Sequence, residues 1–429
     1  MSQSLFQSRR FRKDIAKQFD PETFREALRP KLPDEKPLPP RMPSGYETTS
    51  SARDRRRRTL EEQQIEVNAL AGADQTMPPE TLAGNIENFT GVAQVPVGVV
   101  GPLRINGLYA QGDFYVPLAT TEGAMVASYQ RGAHVMNLAG GPSVMCVSSA
   151  VSRAPCFIFD KLDEAALFLN WIYDQADELA ECVKRSTAHG RLIDIVTTLN
   201  SSQVYLTFEY DTGDAAGQNM VTVATEAACE YIVSNSPIPV KTWYLEANLS
   251  GDKKASMLSF MGVRGKKVTA EISIPPQLIR RYLHTTPEAM AHYCHTSWLG
   301  GIQSGIIGIQ GHVANALAGI FIACGQDVAC VSEAAVGITE MLVSDAGNLK
   351  VNLSLPNLTI GTVGGGTHLP TPRECLQMLG CFGSGKARKF AEVCTATALA
   401  GEVSIIAALA AGHFGKAHAR FRHTAGNCE

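Results

Sequence analysis

Four segments each set ionisable side chains among small and apolar neighbours. Glu122 lies in "PLATTEGAMVAS", Lys253 in "SGDKKAS", Asp327 in "IACGQDVAC", and His413 and His418 in "AAGHFGKAH". Any one of them has a plain explanation as a cap, a turn or a satisfied buried group. Burying an ionised group is costly unless it is paired, so four such segments point to a shared polar site. The types suit chemistry at a carbonyl. A fixed ammonium stabilises negative charge developing on oxygen, a carboxyl of raised pKa supplies a proton, and a histidine titrates in the working range. The stretch "YLEANLSGDKKASM" (244–257) adds Glu246, Asp252 and Lys254. It reads either as a solvated turn or as a substrate loop in which a second ammonium meets an anionic group.

These residues need a scaffold. The 429 residues are 45% hydrophobic, enough for a substantial core, and 38 glycines imply many tight turns. A net charge of −3 gives no reason to expect nucleic acid or an anionic membrane as partner. Eleven cysteines without a paired CxxC pattern indicate a reducing compartment. With no secretory signal, and with "VSIIAALAAGHFGKAH" interrupted at His413, the expectation is a soluble, cytoplasmic protein.

Residues 1–47 are charged and proline-rich, which predicts a short helix and then an extended arm. "RDRRRRTLEEQQIEVNAL" reads as a helix whose arginines form a solvated face. Between 155 and 244 the pattern is helix ("DEAALFLNWIYDQADELAECVKR"), two strands ("RLIDIVTTL", "QVYLTFEYD"), helix and strand, a compact α/β insertion. A last helix from about 387 to 418 is apolar all round and therefore buried.

Two motifs lead nowhere. "GCFGSGKA" (380–387) nearly matches a phosphate-cradling loop, but Ala387 stands where the Mg²⁺-binding hydroxyl belongs and helical sequence precedes it. No GxGxxG links a strand to a helix, so a nicotinamide cofactor would need another scaffold.

The four segments, with "ENFTG" (87–91), "VPVGVVGPL" (95–103), "GDAAGQNM" (213–220) and "GTVGGGT" (361–367), resemble the catalytic domain of the 3-hydroxy-3-methylglutaryl-CoA (HMG-CoA) reductase family, class I. The resemblance implies an α+β fold: a large, mostly helical domain around a central helix (48–154 and 245–429), with a small ferredoxin-like α/β cofactor domain (155–244) inserted. It implies a homo-oligomer, through "ENFTG", with active sites between subunits. It also implies a four-electron reduction of HMG-CoA to mevalonate and CoA with two NADPH, and no metal. Lys253 would stabilise the oxyanion, Glu122 supply a proton, Asp327 tune both, and His418, rather than His413, protonate the departing thiolate. Arg153, Asp252, Lys254, His312 and Asn315 would contact substrate. Arg185, Thr187, Asp214, Gly217, Asn219 and Met220 would contact cofactor.

Two positions depart from the family's pattern. Glu246 replaces a small serine, and Ser297 replaces a lysine directed at the substrate's distal carboxylate. Glu246 would repel an anion unless it pairs with Arg153 or Lys254 or turns away. The alternative substrate is an acyl-CoA without that carboxylate. Thr187 and Ala188 stand where a Ser-Arg pair meets the 2′-phosphate, which leaves NADH as the alternative cofactor. A non-catalytic homologue is the rival outside enzymology.

Overall fold

The computed structural model describes residues 20–45, 47, 49–70, 72, 79–82, 84–187, 190–262, 264–413 and 415. Its axis is the helix Ala387–Ala410, buried continuously from Phe390 to Ser404. Alanine favours helix and lets neighbours approach closely. Helix Met125–Leu138 crosses so near that a Cβ on Gly132 would stand 1.8 Å from the Ala400 carbonyl oxygen. By length and composition this helix could cross a membrane, which corrects the expectation that no run was long enough. It is instead enclosed in the core and carries two buried carboxylates. Glu392 accepts hydrogen bonds from the Tyr109, Ala110 and Cys146 amides. Glu402 accepts them from the Gly311 and His312 amides and the Thr339 hydroxyl. The helix ends at Ala410, short of the expected 418.

A six-stranded sheet lies beside it, made of β1 (Val97–Gly107), β2 (Gln111–Ala119), β3 (Ser143–Arg153), β8 (Gly265–Ile274), β9 (Ile338–Val343) and β10 (Leu349–Leu358), of which β1, β3, β8 and β10 pack against the helix. Their order is β2-β1-β3-β8-β10-β9, antiparallel except for the short β1–β3 contact. The expected "mostly helical" large region is therefore corrected to helices wrapped on a sheet. In β10 alternate residues Leu349, Val351, Leu353 and Leu355 are buried, as a half-covered strand requires.

Residues 151–245 supply a second core, built around Phe157, Phe168, Phe208 and Tyr210. The expected long helix is two, Leu162–Tyr173 and Ala176–Ser186, and a short strand β4 (Cys156–Ile158) precedes them. Strands β5 (Arg191–Asn200), β6 (Gln203–Asp211) and β7 (Thr242–Tyr244) complete an antiparallel order β7-β4-β6-β5. Val204, Leu206, Phe208 and Tyr210 of β6 face the two helical segments and helix Gln218–Asn235. β3 joins the cores, pairing with β8 through residue 150 and with β6 from Val151 to Arg153.

Residues 31–37 of the N-terminal arm are docked on β1. Arg104, 1% exposed, donates to the carbonyls of Lys31, Lys36 and Pro37 while pairing with Asp113. On helix Ser50–Glu62, Arg53, Arg55 and Arg58 are exposed, while Arg56 donates to the carbonyls of Pro43, Gly45 and Glu47.

Candidate active site

The segment 246–254 leaves the second core and runs over a cluster of charged side chains. Glu246 turns inward, where its carboxylate accepts from Arg153 Nη1 (3.3 Å), the Ser250 hydroxyl (2.9 Å) and the Asn248 amide (2.8 Å). The pairing with Arg153 is the accommodation that the sequence allowed. Arg153, at the end of β3, also donates to Asp252 Oδ2 (2.9 Å) and the Thr222 hydroxyl (3.0 Å). Asp252 is shared with a second guanidinium, that of Arg264. Burial disfavours its charge, but Arg264 and then Arg153 outweigh this and hold its pKa below the ordinary carboxylate value. Lys254 is exposed and donates to the Asp252 carbonyl at 2.9 Å.

Lys253 adopts a φ of 55°, which points its side chain away from that floor to Asp327, 2.7 Å from Nζ. This hydrogen bond raises the Lys253 pKa despite partial desolvation, so the ammonium stays charged. Asp327 caps the turn Val328–Cys330 through the Ala329 amide. Cys330 in that turn accepts a contact from Gln218 Nε2 at 2.8 Å.

Glu122 is held elsewhere. Its Oε2 accepts from Asn315 Nδ2 at 2.6 Å, and its amide donates to Thr120 Oγ1. Asn315 begins helix Val313–Ala323, whereas Asp327 follows its C-terminal end. At 1.5 Å per residue roughly 12 Å of helix lies between Asn315 and Ala323, and no hydrogen bond or ion pair among the described residues links Glu122 to Lys253 or Asp327. Lys253 and Asp327 thus meet within one chain, and Glu122 does not join them.

His312 is mostly enclosed, stacked on Tyr129 (ring centroids 5.1 Å apart) with Nδ1 3.8 Å from Glu402. Burial lowers its pKa to about 4, so it is neutral in ordinary conditions. Ser297 sits half-buried on helix Pro287–Ser304. His413 touches His284 ring to ring. His418 lies outside the described residues.

Around the second core, three glycine-bearing loops converge. Ala215 bridges to Val363, and a Cβ on Gly361 would stand 2.5 Å from the Ala216 nitrogen. Asp214 accepts from the amides of Gly385 (2.6 Å) and Ala387 (3.0 Å), so the loop that imitates a phosphate cradle grips a carboxylate of its own chain. Gly217, at φ 80°, starts helix Gln218–Asn235, with Asn219 exposed and Met220 half-buried in its first turn. Arg185 ends helix Ala176–Ser186, and Thr187 caps it, accepting from the Gly190 amide. Open space around glycines 213, 364 and 365, with Lys184 and Arg185 in the last turn of helix Ala176–Ser186, gives room and positive side-chain charge of the kind a phosphorylated dinucleotide needs.

The sequence reading overlooked Arg264, Glu333, Gln218 and Thr222. Glu333 carries the signal that flagged the others, a lone charge among small neighbours in "VSEAAVG", whereas Arg264 is followed by Lys266 and Lys267 and has no such signal.

Comparison with known proteins agrees across sequence and fold. The profile of the family described as hydroxymethylglutaryl-coenzyme A reductase matches residues 52–423. A 3-hydroxy-3-methylglutaryl-coenzyme A reductase of Methanocaldococcus jannaschii is 44% identical over 339 residues, 78% of this chain and 84% of the relative. One of Haloferax volcanii is 41% identical over 369 residues, 85% and 91% of the two. A solved class II enzyme of that name from Streptococcus pneumoniae, bound to NADPH in open conformations, superposes with a TM-score of 0.68. It is 19% identical and covers 85% of this chain and 97% of its own, a likeness of fold.

Proposed function

The chain belongs to the hydroxymethylglutaryl-coenzyme A reductase family, and from that premise we propose that the paired Lys253 and Asp327 mark the seat of its chemistry. The enzyme is an oxidoreductase that reduces HMG-CoA to mevalonate and CoA at the expense of two NADPH. The thioester is reduced to a thiohemiacetal, CoA thiolate departs to leave an aldehyde, and the aldehyde is reduced to the alcohol. NADPH, when bound, supplies the two hydrides.

The single observation that carries the site is the 2.7 Å Lys253–Asp327 contact. An ammonium fixed there stabilises the oxyanion in each reduction. Glu122, oriented by Asn315, is the proton donor, and His418 protonates the thiolate. Gly217, Asn219, Met220, Thr187 and Arg185 form the cofactor cradle, while Asp214 shapes it.

Because Glu122 is held by Asn315 in the first turn of helix Val313–Ala323 and Lys253 by Asp327 beyond its other end, the reading includes a homo-oligomer in which one subunit completes the other's site. Exposed Leu299 (49%) and Ile302 (67%) on one helix, with Val92 (58%) beside "ENFTG", supply the apolar surface such an interface needs. We divide the chain into a large region, 48–154 and 245–429, and a ferredoxin-like region, 155–244, supported by the β7-β4-β6-β5 order. The enclosure of helix Ala387–Ala410 and the thiol state of the described cysteines support a soluble, cytoplasmic enzyme.

The test is NADPH oxidation by purified protein with HMG-CoA, scored with CoA thiol release and mevalonate. Two NADPH per thiol is the expected ratio. Turnover only with thioesters lacking a distal carboxylate would overturn the substrate.

A further inference from the structure

Lys253 is not glycine, yet its φ of 55° lies in the left-handed region. That conformation is unfavourable for a side-chain-bearing residue and persists only where the surroundings over-determine it. The surroundings here are two layers deep. Asp252 is held between Arg153 and Arg264. Arg264, with 3% of its side chain exposed, donates Nε to Glu333 Oε2 (2.8 Å), Nη1 to the Ser152 carbonyl (2.7 Å) and Nη2 toward Gln218 Oε1 (3.4 Å). Glu333 is fully enclosed. Burial raises its pKa to about 6, opposed first by Arg264 and then by the nearby Lys253 amide, so the acid remains largely ionised at neutral pH.

The placement of Glu333 gives this arrangement its meaning. It sits in the turn Val331–Ala334, directly after the turn that Asp327 caps. The segment 327–333 therefore grips the lysine loop twice. At the surface Asp327 takes the Lys253 ammonium. Beneath, Glu333 takes Arg264, which takes Asp252. We infer that Arg264 and Glu333 are positioning residues for Lys253, locking the Asp252–Lys253 peptide in the conformation that presents the ammonium to Asp327. Both are enclosed, so they act through Lys253 and not on the substrate. The inference rests on Lys253 being the oxyanion-stabilising group.

Removing the pair together, in Arg264→Met/Glu333→Leu, leaves neither partner as an unpaired buried charge, and Asp252 keeps Arg153. Such replacements are often neutral for stability. The expected result is a native-like thermal midpoint with kcat lowered roughly a hundredfold, as for a misplacement of about 1 Å. KM for HMG-CoA and Kd for NADPH should stay near their original values, a split that general loosening of the fold would not produce. A folded double variant with native kcat overturns the inference. Should it fail to fold, Glu333→Gln decides: an unchanged kcat overturns the inference, and a loss in kcat at constant KM supports it. Lys253→Met is measured alongside. Full activity there refutes the underlying reading of Lys253, whereas an inactive Lys253→Met beside an active double variant refutes only the positioning role.

Discussion

A hydrogen bond from Asp327 keeps the Lys253 ammonium charged, and the sign of that shift makes a test. The folded pKa lies above the ordinary 10.5. The pair's contribution is therefore complete below the unfolded value and is lost as pH rises through the folded one. Asp327→Asn removes the cause, so the alkaline limb of kcat should move to lower pH in a profile taken from neutrality upward. Lys253→Met should lower kcat by about 10²–10³, as for loss of one oxyanion donor, with an unchanged circular dichroism spectrum. At Glu246, a carboxylate already occupies Arg153 Nη1. If HMG-CoA presents its distal carboxylate to Arg153, Glu246→Ser should lower KM for HMG-CoA by roughly tenfold or more, the worth of one charged hydrogen bond. An unchanged KM would show that Arg153 serves the fold of the loop and not the substrate.

The element that organises the site is the central helix, and its start is set by a residue from the other core. Asp214 accepts both amides at the Gly385–Ala387 entry. Asp214→Ala should cost about 0.5–2 kcal/mol in denaturant unfolding, as for loss of an N-cap, and should raise KM for NADPH because the glycine loops lose their tie. A cofactor KM that stayed fixed would separate the cap from the cradle. Much at this scale was legible in sequence: the 3.6-residue period drew the helices, and alternation drew β6. The break at residues 174–175 and the three-residue strand β4 were not, because such short features form only against neighbours that a linear pattern does not display.

For the whole molecule, the separation of Glu122 from Lys253 along helix Val313–Ala323 predicts that one chain alone is inactive. Glu122→Gln and Lys253→Met should each abolish turnover, while a mixture exchanged through reversible dissociation should recover roughly a quarter of native activity by random pairing. No recovery in verified hybrid oligomers would place a complete site within each subunit. Ile302→Glu, on the exposed apolar helix face, should shift the protein toward monomer in light scattering and lower activity with it.

The sequence alone determined the family and the chemical types, because "ATTEG", "DKK", "GQD" and "GDAAGQNM" are short segments whose chemistry is local. It also determined that the last helix is buried, since its apolar residues surround every side. Tertiary structure decided what each charge faces. Glu246 could point at a substrate or at Arg153, and only the meeting of β3 with segment 246–252 settles the direction. Arg264 and Glu333 are 69 residues apart, and their pairing depends on burial that no spacing encodes. Asp214 reads as a cofactor ligand in its motif, and only the fold shows that its carboxylate also accepts the amides of Gly385 and Ala387. A charge's partner is a matter of distance in space and of local dielectric, and the chain's order fixes neither.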